Sequence, residues 1–345
     1  MTSEIITETV VDGLGIIWGM TFLPNGDMLL TEKTGKLYRL SGDNLQEVKG
    51  VPEVYVRGQG GLLDVALHPD YENNGWIYIS YAKPALEGEG GNTAIVRAKL
   101  QNDELVEQEE LFKAMPNSTE GRHFGSRITF DEDGYLYFSV GERGKMENAQ
   151  NLKNDCGKIH RLHDDGRVPD DNPFTQEDGE KSSIFAYGNR NPQGLIWHPE
   201  LKEIWAHEHG PKGGDELNVI KAGANYGWPV ISYGIDYDGS IITEDTTKVG
   251  MEQPLHYWTP SIAPCGMALV TSDIYPGWKN SLLVGSLSFR YLERLQTDGR
   301  AVVGQEKLLE GIGRVRNVKQ GPDGYIYISV ESPGRILKLV PKSEN

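Results

Sequence analysis

The sequence predicts an all-β chain folded as a six-bladed β-propeller of four-stranded antiparallel blades. Three observations predict it. One hairpin phrase recurs six times along the chain. No segment holds a 3.6-residue apolar period for long, so helical signals are almost absent. Glycine and proline are plentiful, at 42 and 18 residues, as a fold of many tight turns requires. One small antiparallel sheet per copy, repeated radially, is a propeller.

The phrase is an apolar run, a turn made of Pro, Asp or Asn with Gly, and an alternating aromatic strand. It first reads MTFLPNGDMLL at residues 20–30. It returns as VALHPD at 65–70 followed by GWIYIS at 75–80, and as ITFDEDGYLYFS at 128–139. The fourth copy is LIWHP at 195–199 with EIW at 203–205, and a looser fifth runs from ALV at 268–270 to SLLVG at 281–285. The sixth is VKQGPDGYIYIS at 318–329. Residues 5–11 read as a strand without a hairpin of their own. They are expected to join the last blade beside residues 335–340 and to close the ring, making residues 1–345 one propeller domain. Residues 87–91 (EGEGG) read as a flexible hairpin tip. The polar stretch 164–181 reads as a long surface excursion between strands, of a length that is often functional.

Composition removes several classes of function. The formal net charge is −16, which disfavours nucleic acid as a partner because phosphate neutralisation needs basic surface. No run approaches the ~20 apolar residues of a membrane span. The N-terminal residues lack a basic-then-apolar export pattern, which leaves a cytosolic protein or a mature chain whose signal was removed. The two cysteines, Cys156 and Cys265, match no zinc spacing. They are expected as buried free thiols, with a disulfide as the alternative.

Several segments concentrate chemistry. Residues 187–194 (YGNRNPQG) set a guanidinium and carboxamides beside a turn that precedes an inner strand. Residues 207–218 (HEHGPKGGDELN) and 223–229 (GANYGWP) combine carboxylates, Asn and carbonyl-exposing Gly-Pro turns, which suit a hard cation such as Ca²⁺. His207 and His209 are two apart and lack the H-E-x-x-H spacing of a zinc pair. His123 stands at the entry to the third hairpin and Glu142 follows the same hairpin. A His near a carboxylate serves as a general base or, alternatively, bonds to a loop backbone. Arg314 and Arg316 share one face of an extended chain, with Val315 opposite. Two like charges side by side need an anion between them. That anion is either an Asp or Glu of the chain or a polyanionic small ligand.

Taken as an ordered set, these segments resemble the glucose/sorbosone dehydrogenase family, the soluble quinoprotein aldose sugar dehydrogenases. The set comprises GQGGLLD at 58–64, His123 before a strand, RNPQG at 190–194, HGP at 209–211, DELN at 215–218, NYGWP at 225–229, SIAP at 261–264, and Arg314-x-Arg316. The resemblance covers nearly the whole chain and implies pyrroloquinoline quinone (PQQ) and calcium as cofactors. It implies His123 as the base for the anomeric hydroxyl, Arg190 and Asn191 beside the quinone, and Arg314 and Arg316 on the PQQ carboxylates. Gly210 and Pro211 would offer carbonyls to the calcium that touches PQQ. Glu216, Tyr226 and Asp236 would serve a separate structural calcium, and Gln59 and Glu142 would lie near the sugar. The implied reaction oxidises an aldose at C1 to a lactone and passes the electrons to an external acceptor. The resemblance further implies a periplasmic or secreted monomer or homodimer with its signal peptide removed.

The chain departs from the family in two places. Ser288 stands where the family often has a Lys, and Thr259 stands where the glucose enzyme has a Trp. Shorter loops imply an open site with broad sugar tolerance. The rival readings are a calcium-dependent lactonase-type hydrolase, in which the Arg pair has no evident task, and a sugar-binding propeller without cofactor.

Overall fold

The computed structural model describes residues 5–175, 179 and 182–342. Six four-stranded antiparallel sheets succeed one another along the chain. Blade 1 comprises Ile17–Phe22, Met28–Glu32, Lys36–Ser41 and Asn44–Val48. Blade 2 comprises Leu62–Leu67, Trp76–Pro84, Gly91–Gln101 and Glu104–Lys113, and blade 3 Ile128–Phe130, Leu136–Val140, Lys158–Leu162 and Ile184–Tyr187. Blade 4 comprises Pro192–His198, Glu203–Glu208, Asp215–Ile220 and His256–Trp258. Blade 5 comprises Pro264–Leu269, Leu282–Ser286, Leu292–Asp298 and Ala301–Leu308. Blade 6 takes Arg314–Gln320, Ile326–Glu331 and Gly334–Pro341 from the end of the chain and its outermost strand, Ile5–Leu14, from the beginning. The pairing runs antiparallel from Ile5 opposite Pro341 to Leu14 opposite Gly334.

The recurring phrase is the turn between the first two strands of a blade. In blades 1, 3 and 6 it closes with Gly26, Gly134 and Gly324, whose N–H groups bond back to Leu23, Asp131 and Gly321. All three glycines have φ between 81° and 90°, a left-handed conformation that costs glycine little. The expected alternation of buried and exposed residues fails in these hairpins. Met28–Glu32 and Leu136–Val140 are buried at every position. Blades pack face to face, so an inner strand has no wet side. Alternation survives at the rim, where every second residue of Ala301–Leu308 is exposed.

The first strands of neighbouring blades contact one another all the way round the ring. Arg127, just ahead of the first strand of blade 3, lies at their centre and is 3% exposed. Its guanidinium donates to the carbonyls of Trp18, Gln193 and Arg316 at 2.9–3.1 Å. It also reaches Asp64 Oδ1 and Cys265 Sγ, each at 3.4 Å. One side chain thus ties its own blade to the other five. Both cysteines are buried and free.

Among the described residues, helix is confined to Tyr71–Asn74 and a 3₁₀ turn at Met146–Gln150. None is long and apolar enough to cross a membrane. Residues 87–91 lie at the tip joining Trp76–Pro84 to Gly91–Gln101. Of the excursion expected over 164–181, residues 176–178, 180 and 181 lie outside the described residues.

Candidate active site

In antiparallel blades the start of the first strand and the end of the second lie on the same face of the ring. Gln59, His123, Arg190, Asn191 and Arg314 precede or open first strands. Glu142, Gly210, Ser288 and Glu331 end or follow second strands. Residues scattered over more than 250 positions of sequence therefore meet at one mouth.

His123 has φ of +58°, an uncommon conformation for a residue with a side chain. Its N–H donates to Gln59 Oε1 at 2.8 Å. Opposite it, a Cβ on Gly141 would come within 2.2 Å of the His123 carbonyl, so only glycine permits this close approach. The approach sets His123 Nδ1 2.7 Å from Glu142 Oε2. Glu142 also accepts the Gly144 N–H at 2.6 Å. Both side chains are buried. Burial holds His123 below the usual histidine range, and the Glu142 hydrogen bond and charge oppose this without overcoming it. Burial alone would raise the Glu142 carboxyl, but the His123 hydrogen bond and charge, with Arg190, hold it low. The resulting state is an anionic carboxylate and a neutral imidazole. With Nδ1–H donated to Glu142, the ring's lone pair is at Nε2. Glu142, expected beside the sugar, is hydrogen-bonded to the His123 ring.

Glu208, in the second strand of blade 4, fixes the neighbouring segment by accepting from Asn189 Nδ2 at 2.8 Å and from the Arg190 N–H. The Arg190 guanidinium lies 5.3 Å from the Trp228 ring and 6.0 Å from Tyr237. It donates to the carbonyls of Gly210 and His209 at 2.9 and 3.3 Å. These carbonyls already converge on a positive charge. Asn191 Oδ1 accepts from Gly125 N–H at 3.1 Å, whereas its buried Nδ2 has no partner among the described residues. A buried donor without an acceptor carries a cost of about 1–3 kcal/mol, which an incoming acceptor would relieve. His207 and His209 bond to the carbonyls of Gly266 and Pro264.

Glu208 and Glu216 stand opposite each other in register on adjacent strands. With Tyr226, Trp228, Gly210 and Gly214 they border a small cavity of about 20 Å³, room for one water-sized particle. Burial raises both carboxyls, and the Glu208 charge raises Glu216 further. The Tyr226 hydroxyl is engaged elsewhere, donating to Val219 O at 2.6 Å and accepting from Lys221 N–H. The Asp236 N–H donates to Ser240 O, and its carboxylate accepts from Tyr237 N–H. Among the described residues no group of three or more His, Cys, Asp or Glu gathers into a metal cluster. Glu208 escaped the sequence reading because its partnership with Glu216 depends on hairpin register.

Arg314 and Arg316 turn to the same side, with Val315 buried opposite. The anion between them is Glu331. Its Oε2 accepts from Arg314 Nε at 2.7 Å and its Oε1 from Arg316 Nε at 2.6 Å. Burial alone would raise the Glu331 carboxyl, but the Arg316 charge and the Arg314 hydrogen bond hold it low. Arg316 also stacks 4.3 Å from the Trp18 ring, and Arg314 Nη1 donates to Leu287 O at 3.1 Å. Two guanidiniums against one carboxylate leave a net positive charge. Near them Lys33 donates to Gly58 O at 2.6 Å. Burial, then the Arg316 charge, lowers its pKa. Ser288 is exposed, its N–H bonded to Ile262 O.

Comparison with known proteins finds relatives over nearly the whole chain. The sequence model of the family described as glucose/sorbosone dehydrogenase matches residues 14–338. Aldose sugar dehydrogenase YliI of Escherichia coli is 40% identical, over 97% of this chain and 93% of the relative. The apo crystal structure of the soluble aldose sugar dehydrogenase from Escherichia coli superposes with a TM-score of 0.92 at 37% identity, over 98% of this chain and 100% of the other. The PQQ-bound aldose sugar dehydrogenase of Streptomyces coelicolor superposes with a TM-score of 0.80 at 29% identity, over 98% of each chain.

Proposed function

The chain belongs to the glucose/sorbosone dehydrogenase family, and on that premise we propose that it oxidises aldose sugars at C1 to lactones, with PQQ and calcium as cofactors and an external electron acceptor. The observation that carries the reading is the His123–Glu142 pair, with Nδ1 and Oε2 2.7 Å apart at the mouth of the ring. A neutral imidazole oriented by a buried carboxylate is the arrangement of a general base. His123 Nε2 takes the proton of the C1 hydroxyl, and Glu142 stabilises the imidazolium that results. Gln59 holds the His123 backbone in place through its side-chain oxygen.

The residues present fit both cofactors. The net charge of Arg314, Arg316 and Glu331 suits a carboxylated group, as does the unpaired Asn191 Nδ2. Gly210 O is already drawn to a cation, the Arg190 guanidinium, and the carbonyls of Gly210 and the adjoining Pro211 would hold a calcium, which would supply Lewis-acid polarisation. Glu208 and Glu216 border an ion-sized cavity, which suits a second calcium. PQQ, when bound, supplies the two-electron acceptor; the chain supplies position, proton removal and field. Arg190 would act as a fixed positive charge beside the acceptor. A periplasmic or secreted location belongs to the same proposal.

The test is reconstitution. Purified protein is given PQQ and Ca²⁺, then glucose with an electron-accepting dye. Dye bleaching that requires PQQ supports the reading, and lactone hydrolysis without PQQ overturns it.

A further inference from the structure

The first strand of each blade is innermost and is hydrogen-bonded to its sheet on one side only. Its other edge presents N–H and C=O groups without a sheet partner to the axis of the ring. Further along these strands than the mouth residues, the six edges surround a cavity of about 70 Å³. Met20, Asp64, Ile128, Ile196, Met267 and Lys319 border it, one from each blade, and Arg127 borders it as well. A water claims about 30 Å³ of liquid volume, so the space takes a small ion and a water but no sugar.

Three charged side chains line this cavity: Asp64, Arg127 and Lys319. The first two are already engaged. Asp64 Oδ1 accepts from Arg127 Nη1 at 3.4 Å and Oδ2 from Ile128 N–H at 3.1 Å. Arg127 directs its other donors to three carbonyls and to Cys265 Sγ. Among the described residues the Lys319 ammonium has no hydrogen-bond or ion-pair partner in the chain. Burial lowers its pKa; the Asp64 charge opposes this and the Arg127 charge adds to it. Met20, Leu195, Ile196 and Met267 line the facing blades with apolar side chains, so packing does not demand a lysine among them.

Two cations and one carboxylate leave an excess positive charge on the axis. An ammonium in such a place is costly without an anion beside it. The carboxylate that could serve is held by Arg127, and a metal cation would add to the repulsion. The excess charge and the unpaired edge N–H groups both suit a small anion.

We propose that the axial cavity binds a monovalent inorganic anion, chloride under physiological conditions, held by Lys319 Nζ and by edge N–H groups of the first strands. The site shares no residue with the mouth and stands independently of the dehydrogenase reading. Bound there, the anion neutralises the centre of the ring and stabilises the native state by mass action.

The test uses bromide, which replaces chloride and scatters anomalously. Crystals of the full chain grown without halide are soaked in sodium bromide, for the wild type and for Lys319→Met, which keeps the length of the side chain and removes its charge. An anomalous peak on the axis within about 4 Å of Lys319 Nζ, the reach of an ion pair, that is absent from the variant supports the site. No peak in the wild type, or a peak of equal height in the variant, overturns it. A second readout is thermal unfolding in sodium bromide against sodium glutamate at equal ionic strength, glutamate being too large for the cavity. Above the dissociation constant, each tenfold rise in bromide should add about 2 °C to the wild-type midpoint and nothing to that of Lys319→Met. Equal responses in the two proteins overturn the site. Should Lys319→Met fail to fold, Lys319→Gln takes its place, and the wild-type crystal decides by itself.

Discussion

His123 Nδ1 lies 2.7 Å from Glu142 Oε2, at a point where Gly141 lets the two backbone segments touch. The relationship fixes which nitrogen is free to take a proton. Glu142→Gln keeps the shape and removes the charge, so the ring loses both its tautomer preference and the anion that stabilises its charged form. The variant is expected to lose about 10²–10⁴ in turnover, the span of general base catalysis. PQQ affinity, measured by absorbance titration, should hold. An unchanged turnover number would show that Glu142 does not orient the base.

The pH profile follows from the same pair. His123 titrates below the usual histidine value of about 6.5 because burial disfavours its charged form. Above that value it is wholly neutral and competent. Turnover should therefore be level in His123 protonation from about pH 7 upward and fall on the acid side, below about pH 6.5. A turnover number that rises as pH falls from 7 to 5 would contradict a neutral base.

Arg314 and Arg316 share Glu331 but differ in burial, with side chains 41% and 8% exposed. Removing Arg316 leaves a buried carboxylate short of its closer partner, a loss of about 3–5 kcal/mol for such pairs. Arg316→Ala should lower the urea midpoint as well as PQQ affinity. Arg314→Ala should weaken PQQ by tenfold or more, about 1.4 kcal/mol, with a much smaller change in midpoint. Equal losses of stability in the two variants would show that neither residue is kept for binding.

Arg127 predicts the stability of the ring. Arg127→Met removes the donor to three carbonyls and leaves Asp64, 8% exposed, without its guanidinium. The expected loss is about 3–5 kcal/mol in chemical unfolding. A loss under about 1 kcal/mol would mean that the six first strands hold the ring without it.

Acid should destabilise the fold through its buried histidines. His160 and His207 are each pushed down to about 3, chiefly by burial. In the unfolded chain they titrate near 6.5, so below that pH the unfolded state takes up protons that the native state refuses. Each contributes a loss of about 1.4 kcal/mol per pH unit between about 6.5 and 3. His160→Gln should flatten the fall in urea midpoint between pH 6.5 and 4.5 by one such contribution. An identical slope in variant and wild type would place that proton elsewhere.

The fold was legible because each blade repeats one turn, and a turn is local chemistry. Gly26, Gly134 and Gly324 serve the same corner in three blades, and the sequence around each displays it. The positions of His123, Arg190, Asn191 and Arg314 at the heads of first strands were legible for the same reason. Partnerships between strands and between blades were not. Glu331 is 15 residues from Arg316, and Glu208 faces Glu216 only through hairpin register. Arg127 carries no local sequence signal, because its five partners come from five different blades. Alternation misled at the inner hairpins, since face-to-face packing of blades buries both sides of a strand.

The central claim is that His123 removes the proton that lets the sugar be oxidised. Its most direct test is a single-turnover measurement under anaerobic conditions, with PQQ- and Ca²⁺-loaded wild type and His123→Ala mixed with excess glucose and followed by absorbance. The account predicts equal PQQ occupancy in both, rapid loss of the quinone band in the wild type, and a rate about 10²–10⁴ lower in the variant. Reduction of the variant at the wild-type rate would contradict it.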